Sequence, residues 1–267
     1  MNLSKSERLD NILRELKSIV VAYSGGVDSA FLLQRASSIK NLKVIGVTVR
    51  TPYIPAYEIN EALEISEKYG FRHRIIDMAF PEVLRSSPPE RCYYCKRSLF
   101  SALLDFAAEN GYKYVVDGSN VDDTQDYRPG LKALRELSVT SPLMEAGLSK
   151  NEIREMARKE GLHIWDKPAM TCLLTRIPYN TVINDSMLEM VEKAESYLME
   201  NGYPGTRVRI HGNLARIECL PEYIQKLADD STREQIVSNL KQIGFRYVSL
   251  DLEGYRSGSF NTELDKV

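Results

Sequence analysis

With 267 residues, 43 % hydrophobic and 27 % charged, the chain is long enough for one large domain or two ordinary ones and has a globular composition. Its 35 Lys and Arg against 37 Asp and Glu give a net charge of −2 and a pI of 6.0, which argues against a general nucleic-acid binder. No apolar run approaches the roughly 18 residues of a membrane span and MNLSKSERLD has no signal-peptide core, so a cytoplasmic protein without membrane partners is expected.

Leu3, Leu9, Ile12, Leu13 and Leu16 recur at helical spacing and predict an amphipathic helix over 3–17. Ile19 to Ala22 reads as the end of a buried strand, Ser24, Gly25 and Gly26 as a turn, and Ser29 to Leu33 as a helix with an apolar stripe. A strand, a small-residue turn and a helix start make an anion site. Successive N–H groups and the positive end of the helix dipole face a phosphate, and glycines let the backbone come close. The Lys-Ser/Thr pair of a Walker loop is not present here, nor is GxGxxG. SGGVDS (24–29) instead resembles the pyrophosphate loop of the ATP pyrophosphatase superfamily, whose members cleave ATP between the α and β phosphates. The resemblance implies that Ser24, Gly25, Gly26 and Ser29 cradle the pyrophosphate beside Ala22. Asp28 would then position Mg²⁺ or the reacting phosphate.

Lys43–Val49 predicts a second strand, ended by two prolines, Pro52 and Pro55; its carboxyl end would set Thr48 beside the adenine. A helix over 58–69 closes at Gly70, a strand follows at His73–Asp77, a helix over 101–110 closes at Gly111, and Tyr114–Gly118 is a fourth strand. The alternation predicts an α/β fold, a doubly wound parallel sheet. Asp117-Gly118-Ser119-Asn120 would complete the nucleotide pocket, and Asp122, Asp123 and Asp126 suit either metal coordination or a solvated loop. Residues 126–133 read as a loop bringing Arg128 and Lys132 toward the phosphates. A helix over 150–160 ends at Gly161, and Trp165–Pro168 leads out of the first domain. Beyond about Asn184 come a long amphipathic helix, a hairpin of Arg207–His211 with Ala215–Cys219 around Gly212-Asn213, two helices and a last strand over 245–252. The chain is thus expected to divide into an ATP-binding domain, 1–175, and a small α+β substrate or oligomerisation domain, 176–267.

Four cysteines in a cytosolic chain suggest core residues, metal ligands or reactive thiols rather than disulfides. Cys92 and Cys95 stand three apart at a helix start, near Arg91, Lys96 and Arg97, where the helix dipole and the cations stabilise thiolates. Such a pair can bind a metal, take one face of a cluster or form a redox dithiol; no second CxxC or His pair completes a zinc site. Adding Cys172 gives three thiolates and one vacant corner, the description of a 4Fe–4S cluster with an open iron that could hold a sulfide. The alternative for Cys172 is a small buried hydrophobe, which is also the reading for Cys219.

SGGVDS (24–29), PPERCYYCK (88–96), DGSNVDD (117–123), DYRPG (126–130), WDKPAMTCLLTRIPY (165–179), RVRIHGNLARIE (207–218) and GYRSGSF (254–260) together resemble the LarE family of ATP-dependent sulfur transferases, over essentially the whole chain. The resemblance implies adenylylation of a carboxylate of pyridinium-3,5-biscarboxylic acid mononucleotide. Sulfur then displaces AMP, giving a thiocarboxylate on the way to the nickel-pincer nucleotide of lactate racemase. In one branch the sulfur is the side chain of a single cysteine, matching Cys172, which ends as dehydroalanine. In another, three cysteines hold a 4Fe–4S cluster whose extra sulfide is transferred, and the presence of Cys92 and Cys95 makes this chain similar to that branch. The family also implies Glu195, Arg207, Arg209 and Glu218 near substrate or phosphate, a sulfide or sulfur donor, and a homo-oligomer. Arg207 and Arg209 alternate with Val208 and share a strand face, where a surface ion-pair ladder with Glu218 is the plainer reading. Arg176, four residues after Cys172, is a further candidate for a substrate phosphate. The runner-up is a tRNA thiolation enzyme of the same superfamily, which should carry a basic face or an added RNA-binding domain. A nucleotide sensor using the cluster as a redox switch would bind ATP without cleaving it.

Overall fold

Ile19, Val20 and Val21 are completely buried, and their alternation sends Ile19 and Val21 to one side of a sheet and Val20 to the other. The computed structural model describes residues 3–124, 129–168 and 171–256. In it, β1 (Ser18–Ala22) lies within a parallel sheet with β2 (Lys43–Arg50), β3 (His73–Asp77) and β4 (Tyr114–Val116), in the order β3-β2-β1-β4. On the side of Ile19 and Val21 pack α1 (Lys5–Leu16), α2 (Val27–Ser38), α3 (Ala56–Lys68) and, later in the chain, Leu143, Ile153 and Ala157. The side of Val20 is covered by α4 (Arg91–Glu109) and α5 (Pro129–Glu136), through Phe100, Leu103, Ala107 and Leu134. Two further helices, α6 (Pro142–Glu145) and α7 (Lys150–Lys159), carry Leu143 and Ile153. This is the α/β layering that the strand–helix alternation predicts.

Two readings of local structure change. Residues 129–136 form a helix where a loop was expected, because Pro129 stands in its first turn, where a missing N–H costs nothing, and Leu131 and Leu134 pack into the core. Residues 91–109 are one continuous helix, so the CxxC pair and the expected 101–110 helix share a single axis.

The chain runs from β1 to β2 to β3 at one edge, then places β4 on the other side of β1. The order therefore reverses between β1 and β4. In open parallel sheets, ligands bind outside the carboxyl ends of the strands at that reversal. The two loops that leave the sheet there are 23–26 and 117–120.

Two compact units make up the chain: Met1–Pro81 with Glu90–Met170, and Glu82–Pro89 with Thr171–Val267. The second holds a small sheet in the order β5-β6-β7. In it β5 (Arg207–His211) and β6 (Leu214–Glu218) are an antiparallel hairpin, and β7 (Tyr247–Leu250) joins β6 in parallel. The same unit contains α8 (Asp185–Glu200), α9 (Pro221–Ala228) and α10 (Asp230–Ile243). Segment Glu82–Pro89 is stitched into it by Ile183 N donating to Arg85 O at 2.7 Å, Asn180 N donating to Ser87 O at 2.8 Å, and an Arg85–Asp185 ion pair at 2.6 Å. Cys219 is fully buried, as a core residue would be. Among the described residues no helix is long and apolar enough to cross a membrane.

Candidate functional site

In the first unit, β1 delivers the chain to Ser24 and α2 takes it up at Val27, with Gly26 in the N-cap position and no side chain capping the helix. The first-turn N–H groups are thus left for another acceptor. Hydroxyls tie the loop across its base: Ser29 Oγ donates to Gly26 O at 3.1 Å, accepts from Ser24 N at 3.2 Å and stands 3.2 Å from Ser24 Oγ. Gly25 sits at φ +71°, and a Cβ there would fall 2.9 Å from the Cβ of Ala62 on α3. Glycine is required on both counts.

The loop after β4 closes on this one. A Cβ on Gly118 would lie 3.0 Å from Ser29 N. Buried Asp117 fixes the second loop, accepting from the hydroxyls of Ser119 and of Ser141 (2.6 Å), with Lys96 Nζ 3.8 Å away. Of the acidic run that follows, Asp123 accepts from Asn120 N at 3.0 Å and Asp122 from Lys150 N at 2.8 Å, while Asp126 lies outside the described residues.

Asp28 is different. Its Oδ1 is buried with no hydrogen-bond partner among the described residues. Burial pushes its carboxyl up to about 6; Lys150 and Arg154 oppose the rise, while Asp123 and Asp122 add to it. An orphaned carboxylate oxygen beside a phosphate-type loop is a donor that suits Mg²⁺, which takes one or two protein carboxylates and completes its shell with phosphates and water.

Of the other nucleotide candidates, Ala22 ends β1 as expected, but Thr48 is occupied. Its hydroxyl donates to Tyr23 O at 2.7 Å and meets His73 Nε2 at 2.8 Å. Burial lowers the pKa of His73, so this contact is a structural one between neutral groups near pH 7. Lys132 pairs with Glu136 at 3.9 Å on an exposed face and stands over the ring of Tyr93. Arg128 lies outside the described residues. A residue not singled out from the sequence also enters the loop: Lys167, from the WDKP segment, donates to Gly25 O at 3.0 Å.

Cys92 and Cys95 stand near the start of α4, three residues apart and therefore on one helix face. Cys92 is exposed; Cys95 is partly buried and its thiol lies 3.5 Å from the Tyr53 hydroxyl. Two sulfurs on one face of a helix start suit two ligands of one metal centre. Among the described residues, no group of three or more His, Cys, Asp and Glu side chains is gathered to hold a metal ion.

In the second unit, Cys172 precedes a short 3-10 turn, Leu173–Arg176, whose last residue has a fully buried side chain. Arg176 grips Glu195 of α8 through Nε at 2.8 Å and Nη2 at 2.9 Å. Its Nη1 reaches back to Thr171 O (2.9 Å), Thr175 Oγ1 (2.7 Å) and Cys172 O (3.1 Å). Expected at a substrate phosphate, Arg176 is committed instead to fixing the cysteine segment, because a bidentate carboxylate and a wreath of carbonyls use its donors.

The hairpin completes the cluster. Arg207 pairs in register with Glu218, and Arg209 with Arg216, so all four share one face. Arg209 donates to Glu218 at 2.8 Å and to Thr175 O, while Glu218 also accepts from Arg216 at 2.9 Å. Glu195 accepts from Val208 N at 2.9 Å. Arg207 is the least committed cation: it donates to Thr206 O at 3.2 Å, stands 4.0 Å from Glu195, and its Nε has no partner among the described residues. Glu218 and Glu195 are buried, so the arrangement is an internal network rather than the surface ladder weighed above.

No family model matches the chain. An uncharacterised protein of Synechocystis sp. is 41 % identical over 98 % of this chain and 99 % of its own length. The pyridinium-3,5-bisthiocarboxylic acid mononucleotide synthase of Lactiplantibacillus plantarum is 36 % identical over 99 % of this chain and 96 % of its own. A tRNA-specific 2-thiouridylase, MnmA, of Carboxydothermus hydrogenoformans is 29 % identical over 57 % of this chain and 53 % of its own. A parallel α/β sheet with an SGGVDS loop at its switch point, related to MnmA, points to the PP-loop class of nucleotide-using enzymes. Within that class, the chain belongs to the LarE family of the Lactiplantibacillus synthase and is an ATP-using sulfur transferase.

Proposed function

We propose that the chain adenylylates a carboxylate of pyridinium-3,5-biscarboxylic acid mononucleotide and replaces the activated oxygen with sulfur, a step in making the nickel-pincer nucleotide. The observation that carries this reading is the relation to a synthase of the bisthiocarboxylate along nearly the full length of both chains. A carboxylate is a poor electrophile until one oxygen becomes a good leaving group. Attack of that oxygen on the α phosphorus of ATP forms the acyl–O–P bond and expels pyrophosphate. Hydrosulfide then attacks the carbonyl carbon, the C–O bond to AMP breaks, and a thiocarboxylate, AMP and a proton result. Two carboxylates become two thiocarboxylates at the cost of two ATP.

In this reading Ser24, Gly25, Gly26, Ser29 and Gly118 receive the phosphates through backbone N–H groups and hydroxyls. Asp28 is the carboxylate that would hold Mg²⁺, which neutralises charge building on the leaving pyrophosphate. Arg207, with an uncommitted Nε, takes the phosphate of the mononucleotide. Arg209, Glu218, Glu195 and Arg176 hold that cation and the Cys172 segment in place. Cys92, Cys95 and Cys172 would ligate a 4Fe–4S cluster, and such a cluster supplies a transferable sulfide at its fourth iron.

Two measurements test the proposal. Anaerobically purified protein, given ATP and the biscarboxylate mononucleotide, should release pyrophosphate and form thiocarboxylate in equal amounts; release without thiocarboxylate would overturn the sulfur-transfer reading. Iron and acid-labile sulfide should reach about four per chain and fall in Cys92→Ala. Iron-free protein after reconstitution, with loss of H₂S from Cys172 by mass spectrometry after turnover, would instead make Cys172 a sacrificial donor.

A further inference from the structure

The Lys167 side chain is almost completely buried, 8 % exposed. Lysine is rarely buried without partners, and here there are two: Gly25 O at 3.0 Å and Glu61 Oε2, on α3, at 2.9 Å. The lysine's own backbone is held at both ends. Its N–H donates to Ile164 O at 3.0 Å, and its carbonyl accepts from Arg154 Nη2, on α7, at 2.7 Å. The lysine is thus a brace anchored in α3 and α7, with its tip on one carbonyl of the anion loop.

That carbonyl matters because of the peptide it belongs to. In a planar trans peptide the C=O of Gly25 and the N–H of Gly26 point in opposite directions. Two consecutive glycines make this the most easily rotated peptide of the loop. Rotated by half a turn, it would present an oxygen, not a hydrogen, to an incoming phosphate. The Gly26 N–H itself is weakly held, reaching only Ser24 Oγ at 3.4 Å, beyond the usual range, so a phosphate oxygen can replace that contact.

We propose that Lys167 is a positioning residue for the phosphates of ATP: by holding Gly25 O it keeps the Gly26 N–H turned toward the anion, and it is not itself a phosphate ligand. This rests on the reading that ATP phosphates occupy the SGGVDS loop. Lys167→Met keeps the length of the side chain and removes the donor; Lys167→Arg restores a cationic donor. Dissociation constants for ATP and for adenosine, which shares the base and ribose but carries no phosphate, are measured on the full chain by calorimetry. In Lys167→Met the ratio of ATP to adenosine constants should rise about 10- to 100-fold, the worth of one hydrogen bond from a charged donor. In Lys167→Arg it should return to within about threefold of the native value.

An unchanged ratio in Lys167→Met overturns the proposal, as does an equal loss of ATP and adenosine binding, which marks a structural role only. If Lys167→Met does not fold, Lys167→Gln is put to the same ratio with the same criteria. The underlying reading has its own control: a native chain that binds ATP no better than adenosine refutes phosphate binding in the loop, whatever Lys167 does.

Discussion

In the proposed function two regions of this protein handle anions, and they are built in opposite ways. The loop of the first unit uses backbone: its side chains are small, Gly25 is required by shape, and Lys167 is turned to a carbonyl. The hairpin cluster of the second unit uses side chains: Arg176, Arg207, Arg209 and Arg216 interlock with Glu195 and Glu218. A backbone site is set by conformation and its amides do not titrate, so a pH response there comes from the carboxyl of Asp28 at the start of α2. A guanidinium–carboxylate network is set by charge balance, and removing one member strands another.

The largest test of that difference is Arg176→Met, which leaves Glu195 buried beside a thioether. A loss of about 3–5 kcal/mol is expected in chemical denaturation; a loss below 1 kcal/mol would show that the network does not rely on its buried arginine. Next is Asp28, the titrating member of the backbone site. Its folded pKa of about 6 lies above the ordinary 3.8, so the folded state holds the proton longer. Stability therefore falls as pH rises from about 4 to about 6, and the penalty is complete above that window. Asp28→Asn should be more stable by up to about 3 kcal/mol at pH 7 and equal to the native chain below pH 4, while its Mg²⁺-dependent pyrophosphate release drops. Equal stability of the two at pH 7 would remove the burial argument.

Gly25→Ala sharpens the comparison from the other side, since no charge changes. Strain at positive φ and the clash with Ala62 should cost about 1–3 kcal/mol of ATP binding, read as a weaker ATP constant with the charge of the site intact. The smallest effect expected is that of Thr48→Val, about 1–2 kcal/mol of stability from its two hydrogen bonds, with the ATP constant unchanged. A tenfold loss of ATP affinity there would return Thr48 to the adenine site.

How much of this was legible in sequence follows from the same contrast. The strand–turn–helix at 18–38 was legible because an apolar run, two adjacent glycines and a helical apolar stripe follow one another there. The layering followed from apolar runs separated by helical periods. The alternation of Arg207 and Arg209 showed a shared face, yet not that Glu218 would be buried beneath it, because burial depends on α8 and the turn at 173–176 covering that strand. Arg176 hides its role for the same reason: it is close to Cys172 in sequence, while its carboxylate partner, Glu195, lies nineteen residues away. Lys167 is silent in the sequence because its partner is a carbonyl 142 positions earlier, and main-chain acceptors leave no mark on a sequence. The 129–136 helix was missed because Pro129 and Gly130 read as loop residues when their place in the first turn is unknown.

The segment Glu82–Pro89 belongs to the second unit although it is flanked on both sides by the first. Its bonds to Ile183 and Asp185 span 98 and 100 positions. During synthesis these eight residues emerge early and must wait for nearly a hundred more before their partners exist. Long-separation contacts of this kind raise contact order and delay the last folding event. A fragment beginning at Thr171 would lack the strip that Asn180 and Ile183 pair with, so the protein cannot be divided into two autonomous pieces by one cut.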